Sequence, residues 1–373
     1  MWVGNCSLLT FAAVMEDLQN AKRSRPVATW IMLGVGMLLI QVILGGITRL
    51  TGSGLSITEW NVVTGTLPPL NQQQWMTEFE KYRQTPQFYL LNTEFTLSDF
   101  KFIFFWEWVH RLWARLIAVA FLIPFIIFLS QRRIKREMVG PLIFLFLFGA
   151  FQGAVGWIMV MSGLTGDAVY VKPAKLALHF VFALGLIAYA FWVGLKWMYP
   201  GERAQIPKLR SLTIFTIVVI FLQLVFGALM AGHKGAVAAP TWPTINGSMV
   251  PAGLFREQPM ILDLVDNIIT IHFIHRGLAY LLLLMIAIWT VKALRISQAD
   301  PIFKKTRTIP GAMIGLQVIL GILAVVNSLR IVPNQWGSFE WIALLHQVVG
   351  MLFLLSMVGM LYFMGRKYQT QRL

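Results

Sequence analysis

Residues 106–130 read WEWVHRLWARLIAVAFLIPFIIFLS. A glutamate, a histidine and an arginine stand at the mouth of a run in which Arg115 is the one charged residue. That run is long enough to cross the hydrocarbon core of a bilayer as a helix, which needs about 20 apolar residues. The pattern partly returns at 271–294, IHFIHRGLAYLLLLMIAIWTVKAL, which keeps the His-Arg pair and carries His272 where the first copy has Glu107.

Outward from these two stretches, the 373-residue chain is 57% apolar, with a mean hydropathy of +0.68. That exceeds what an ordinary soluble domain carries. Eight apolar runs qualify as spanning helices, at about 27–47, 102–130, 138–162, 174–198, 208–231, 268–292, 308–328 and 339–365. None shows the alternation of a barrel strand. The expected class is an all-α integral membrane protein, because a helix satisfies its own backbone in lipid.

The net charge of +15 is explained by topology and anionic lipid rather than by nucleic acid. Basic residues gather in alternate connections: Lys22, Arg23 and Arg25; Arg132, Arg133, Lys135 and Arg136; Lys196, Arg203, Lys208 and Arg210; Lys292, Arg295, Lys304, Lys305 and Arg307; Arg366, Lys367 and Arg372. The positive-inside rule puts these stretches, and both termini, in the cytoplasm. The single cysteine, Cys6, excludes an intrachain disulfide. Residues 1–21 lack the pattern of a removable signal peptide. The first span is expected to be an uncleaved anchor, preceded by a poorly ordered cytoplasmic tail at 1–26.

The halves repeat. Gln41 with Gly45-Gly46 in the first span matches Gln223 with Gly227 in the fifth. Gln152, Gly153 and Gly156 in the third match Gln317 and Gly321 in the seventh. TEWNVVTGTLPP at 58–69 and PTWPTINGSMVP at 240–251 share the spacing of Trp, Gly and Pro. With four spans each, the repeats are parallel. Two side-by-side pseudo-symmetric four-helix bundles are expected, at 27–200 and 201–373.

The even-numbered spans run from outside to inside, and His110, His179, His275 and His346 open them. All four are expected near the outer face. In each half they come from helices diagonal across a bundle, an arrangement that suits the two axial positions of a haem iron. A single such histidine is more often a hydrogen-bonded polar residue, but ionisable groups in membranes are costly and tend to be functional. Zinc fits less well, since neither half offers the three or four ligands it wants. His233 falls in an outer loop, expected to be solvated. His272 has two readings, one lining the second site and one at the surface.

Glu107 shares a helix side with His110. Two readings stand: an ion-pair partner for Arg111 or Arg115, or a charge that stabilises positive charge developing at a carbon on a bound ring. The second half lacks the acid, which suggests chemistry in the first half and a permanent haem in the second.

With these residues assembled, the chain from about 25 to 365 resembles the haem A synthase family, in the form found in mitochondria and many Gram-negative bacteria. The carrying motifs are GGITRLTGSGLSITEWNVVTGTLPPL at 45–70, WEWVHR at 106–111, LALHF at 176–180, TWPTINGSMVP at 241–251, HFIHR at 272–276 and LLHQ at 344–347. The resemblance implies oxidation of a ring methyl of haem O to the formyl of haem A through a hydroxymethyl intermediate. It implies haem b on His275 and His346, substrate haem between His110 and His179, and Glu107 as the essential acid. It implies a haem O synthase as supplier, a haem-copper terminal oxidase as recipient and the cell inner membrane as the location.

The chain lacks the outer-loop cysteine pair of Gram-positive members. An electron donor or acceptor is required and is not identified by the sequence; a homo-oligomer is left open. Arg49, Arg111 and Lys175 are candidate partners for haem propionates. The rival readings are a di-haem cytochrome b exchanging electrons with quinone, and a haem transporter.

Overall fold

The structure is a computed structural model that describes residues 4–60, 64–201 and 205–365, with side chains from Arg25 onward except Thr64. Of the basic residues used to read topology, Arg203, Arg366, Lys367 and Arg372 lie outside these ranges. The described residues form twelve α-helices and no β-strand. In chain order they are α1 (Gly4–Leu50), α2 (Gln72–Arg83), α3 (Pro86–Leu91), α4 (Leu97–Ser130), α5 (Arg136–Met161), α6 (Pro173–Met198), α7 (Pro207–Gly232), α8 (Met260–Asp266), α9 (Ile268–Leu294), α10 (Pro301–Thr306), α11 (Ile309–Asn327) and α12 (Ser338–Phe363). Eight segments are long and apolar enough to cross a membrane: Arg25–Leu50, Leu97–Ser130, Arg136–Met161, Pro173–Met198, Pro207–Gly232, Ile268–Leu294, Pro301–Arg330 and Ser338–Phe363. The protein is an all-α, multi-pass membrane protein.

Three boundaries differ from the sequence expectation. The segment before the first span is helical from Gly4 rather than a poorly ordered tail, because α1 continues through it. The second span begins at Leu97, not 102, because Thr96 and Asp99 form a capping box that starts the helix in polar sequence. The loop before it holds α2, too polar to stand out by hydropathy, and α3, too short to do so. Asn71 caps the first of these, and Thr85 with Pro86 starts the second.

Among the spans of residues 25–198, α1 packs on α4 and on α6, and α5 packs on α6. Among those of residues 207–363, α7 packs on α9 and α12, and α11 packs on α9 and α12. The two sets meet where α6 touches α7 and α12, and where α1 touches α12. Small residues allow the close approach. A methyl at Gly46 of α1 would stand 2.8 Å from the Gln347 amide nitrogen of α12, which donates to the Val42 carbonyl oxygen at 2.9 Å.

The large apolar core runs along the ends of the spans remote from the outer loops. It joins Val27, Leu142, Leu184 and Trp197 to Ile220, Ile286, Trp289 and Met357. Trp289 is fully buried and donates its indole N–H to Thr213 Oγ1 at 2.8 Å, so the one polar atom on this large ring is satisfied. A second cluster, Phe79, Tyr82, Phe88, Phe100 and Phe104, fastens α2 and α3 to the start of α4. Trp289→Ala removes a buried ring and the indole donor to Thr213, whose hydroxyl keeps its bond to the Leu209 carbonyl oxygen. It is expected to destabilise the protein by about 3–5 kcal/mol, read as an earlier unfolding transition in detergent.

Candidate functional site

The site begins with a four-fold local device. Gln41 and Gly45, Gln152 and Gly156, Gln223 and Gly227, and Gln317 and Gly321 are each spaced i, i+4, so each pair lies on one helix face. Each pair touches one histidine of a neighbouring span. A methyl at Gly45 would stand 3.2 Å from His110 Cε1; at Gly156, 2.8 Å from His179 Cε1; at Gly227, 3.1 Å from His275 Cε1; at Gly321, 3.0 Å from His346 Cε1. Only glycine lets these rings lie against the helix backbone.

The glutamine above each glycine reaches the same histidine. Gln41 Nε2 is 3.0 Å from His110 Nε2 and donates to the His110 carbonyl oxygen at 3.2 Å. Gln152 Nε2 is 3.1 Å from His179 Nδ1 and donates to its carbonyl oxygen at 2.8 Å. Gln223 Nε2 is 3.4 Å from His275 Nε2, and Gln317 Nε2 is 3.3 Å from His346 Nε2. The glycines lie five or six residues before the end of their helices, so all four contacts occupy one end of the molecule.

The histidines of each set come from helices that the packing places across from each other: α4 and α6, α9 and α12. The His275 and His346 ring centres are 6.4 Å apart. Two imidazoles on opposite sides of one metal ion, each bound at about 2.0–2.1 Å, require roughly this separation. His346 Nδ1 is 3.1 Å from the Gln317 carbonyl oxygen, a contact that orients the ring. The side-chain oxygens of all four glutamines, and His275 Nδ1, are buried without a partner. Buried polar atoms are ordinarily paired, so these positions fit groups brought by a ligand. Among the described residues no three His, Cys, Asp or Glu side chains converge as a metal site of their own.

Glu107 is 3% exposed. Its Oε2 accepts from Ser56 Oγ at 2.7 Å and from the Ile57 N–H at 2.9 Å, and its Oε1 pairs with Arg111 Nη2 at 2.6 Å. The ion-pair reading of the sequence is therefore realised with Arg111. Arg111 also donates to the carbonyl oxygens of Glu59 at 2.9 Å and Ile57 at 3.0 Å, and lies 4.9 Å over the Trp60 ring. Of the three candidate propionate partners, Arg111 thus has its guanidinium committed to the 56–60 loop. Arg49 donates to the Ala231 carbonyl oxygen, bridging the two sets of spans. Lys175 lies half-buried in the first turn of α6.

Arg276 does in the second set what Arg111 does in the first. It donates to the carbonyl oxygens of Ala239 and Thr241 at 2.8 Å and of Thr244 at 3.0 Å. Ala239 and Thr241 follow Ile57 and Glu59 by 182 residues, the offset that also relates Gln41 to Gln223 and Trp60 to Trp242. Both arginines clamp equivalent turns of equivalent loops. His272, at the position of Glu107, is 1% exposed and its Nε2 is 2.7 Å from the Gly235 carbonyl oxygen. It is neither at the surface nor aimed between His275 and His346; it anchors the outer loop. His233 also departs from expectation. It caps α7 with its Nε2 2.7 Å from the Val265 carbonyl oxygen, and its side chain is 15% exposed.

One residue that the sequence did not single out is Asp263, at the foot of the second outer loop. It accepts from the N–H groups of Phe255, Arg256 and Glu257, from Thr270 Oγ1 and from Asn267 Nδ2. Desolvation alone would raise this carboxyl, but the donors outweigh it and hold it low, at about 2. An aspartate three residues into a seven-residue helix gives no periodic signal.

The chain belongs to the COX15-CtaA family of cytochrome oxidase assembly proteins, whose profile matches residues 28–358. It is 39% identical over 314 residues to a haem A synthase of Parvibaculum lavamentivorans, covering 83% of this chain and 91% of that protein. It is 41% identical over 327 residues to a haem A synthase of Bradyrhizobium diazoefficiens, covering 87% and 88%. A haem A synthase of Flavobacterium psychrophilum is 35% identical over 342 residues, covering 89% and 96%. Family membership points to work in cytochrome oxidase assembly.

The glycine contacts give a direct test. Gly321→Val and Gly227→Val should displace His346 and His275 and lower the haem retained by the purified protein at least several-fold. Gly315→Ala, in the same helix as Gly321 with open space around it, should leave retention unchanged.

Proposed function

We propose that this protein is a haem A synthase, oxidising a ring methyl group of haem O to the formyl group of haem A. The observation that carries the reading is the paired imidazoles seated on glycines in both sets of spans, together with the 35–41% identity to haem A synthases. Residues 27–200 form the substrate half, with haem O between His110 and His179. Residues 201–373 form the half that holds haem b on His275 and His346. Residues 1–26 are a cytoplasmic tail; both termini are cytoplasmic and the membrane is the cell inner membrane. A haem O synthase supplies the substrate, and a haem-copper terminal oxidase receives the product.

When bound, the haem iron supplies oxidising chemistry that no side chain here possesses. The chain supplies position and field. Neutral imidazoles fix the substrate ring, and the glutamine amides hold the imidazoles. Glu107 places a carboxylate, already oriented by Ser56, Ile57 and Arg111, three residues from His110 at the edge of the ring space. In that position it stabilises positive charge developing at a carbon attached to the ring. It also ties the 56–60 loop to α4, so the cover over the site and the acid form one unit. The rival cytochrome b reading gives this acid no chemical task beyond proton uptake, whereas the synthase reading uses its charge.

Two measurements test the assignment. Glu107→Gln keeps the shape, breaks the ion pair with Arg111 and removes the charge. It should cut haem A in extracts at least tenfold while haem b stays near one per chain. Undiminished haem A would take the acid out of the reaction. His275→Ala and His346→Ala should each abolish stoichiometric haem b. Retention of haem b by both would overturn the assignment of the second half.

A further inference from the structure

The two sets of spans differ in one packing contact. In the second, α7, α9, α11 and α12 close a ring in which every helix packs on its two neighbours. In the first, α4 packs on α1, α1 on α6 and α6 on α5, but α4 and α5 do not pack along their backbones. An aromatic contact links them, Phe121 against Phe146, with centroids 6.1 Å and planes 25° apart. None of the most apolar window of α4 is buried, against 28% of that of α9.

The opening leads to the substrate histidines. His110 stands on α4, and Gln152 and Gly156 of α5 touch His179. The helices that flank the opening therefore carry or brace both imidazoles. Phe121 is eleven residues beyond His110, about 16 Å along the helix axis. That length of the α4–α5 seam matches the reach of an isoprenoid chain of farnesyl length. A chain leaving lipid gains nothing from enclosure, since lipid tails are as apolar as leucine. A tail seated along this seam therefore needs an open side and apolar flanks, and the unpacked apolar spans α4 and α5 supply them.

Resting on the haem A synthase reading, we infer that the α4–α5 opening is the lateral portal for the substrate haem and the groove for its isoprenoid tail. The closed second ring, by the same logic, retains its haem. The asymmetry assigns exchange to one half and residence to the other, independently of Glu107.

The test closes the opening. In a Cys6→Ser background, Phe121→Cys and Phe146→Cys are combined, the purified protein is oxidised, and haem O uptake is followed by absorbance. The linked protein should take up haem O at least tenfold more slowly than the same protein after reduction, with haem b content unchanged. Uptake at equal rates in the linked and reduced forms would overturn the portal. Where the disulfide does not form, Phe146→Cys alone, modified with a bulky maleimide, should slow uptake likewise, and an unchanged rate would overturn it. Uptake judges the portal, while conversion of bound haem O to haem A by the unlinked protein judges the functional reading. Failure of the unlinked protein to bind haem O would overturn both.

Discussion

An imidazole set with its Cε1 against a glycine of a neighbouring helix is the contact on which the rest of this protein depends. Polar rings are costly in a bilayer, and each needs a partner for its nitrogen atoms. The chain meets that need four times with one local solution. A glycine opens room beside the helix axis, and a glutamine one turn earlier brings an amide to the ring. Gly45, Gly156, Gly227 and Gly321 leave no room for even a methyl group without displacing a histidine. The device lies near the loop end of every odd-numbered span, so four unconnected contacts come to one height. Packing in pairs across each set then sets His275 and His346 6.4 Å apart.

The outer loops are held by the same residues that mark the site in the sequence. Arg111 and Arg276 each follow an imidazole by one residue and draw a loop down by its carbonyl oxygens. Planar guanidinium groups suit this task, because several N–H donors can meet several carbonyls in fixed geometry. Where the halves diverge, they do so beside these arginines. Glu107 pairs with Arg111 and accepts from the loop, whereas His272 meets a loop carbonyl instead. A duplicated frame has thus been given an acid in one copy and an imidazole in the other, and an open seam in one copy and a closed ring in the other.

Much of this was legible in the sequence, and the exceptions have physical reasons. Spans are readable because apolar length is the requirement of the bilayer itself. The histidine pairs and their glycines were visible through the repeat, since an internal copy acts as a second sample of the same constraint. The loop helices α2 and α3 were not, because Asn71 and Thr85 caps and a small aromatic cluster stabilise them rather than a long apolar stripe. His233 and His272 were misplaced for a related reason: their partners are the backbone carbonyls of Val265 and Gly235, and backbone acceptors leave no trace in residue identity. Asp263 was invisible on the same ground, as most of its donors are N–H groups of the loop.

The central claim is that opposed imidazoles ligate iron in this protein. Low-temperature electron paramagnetic resonance of the oxidised, purified protein tests it most directly. The account predicts a low-spin ferric signal of two axial imidazoles, lost from the second half when His275 and His346 are both replaced by alanine. A high-spin five-coordinate signal in the intact protein, or a low-spin signal that survives the double replacement in full, would contradict it.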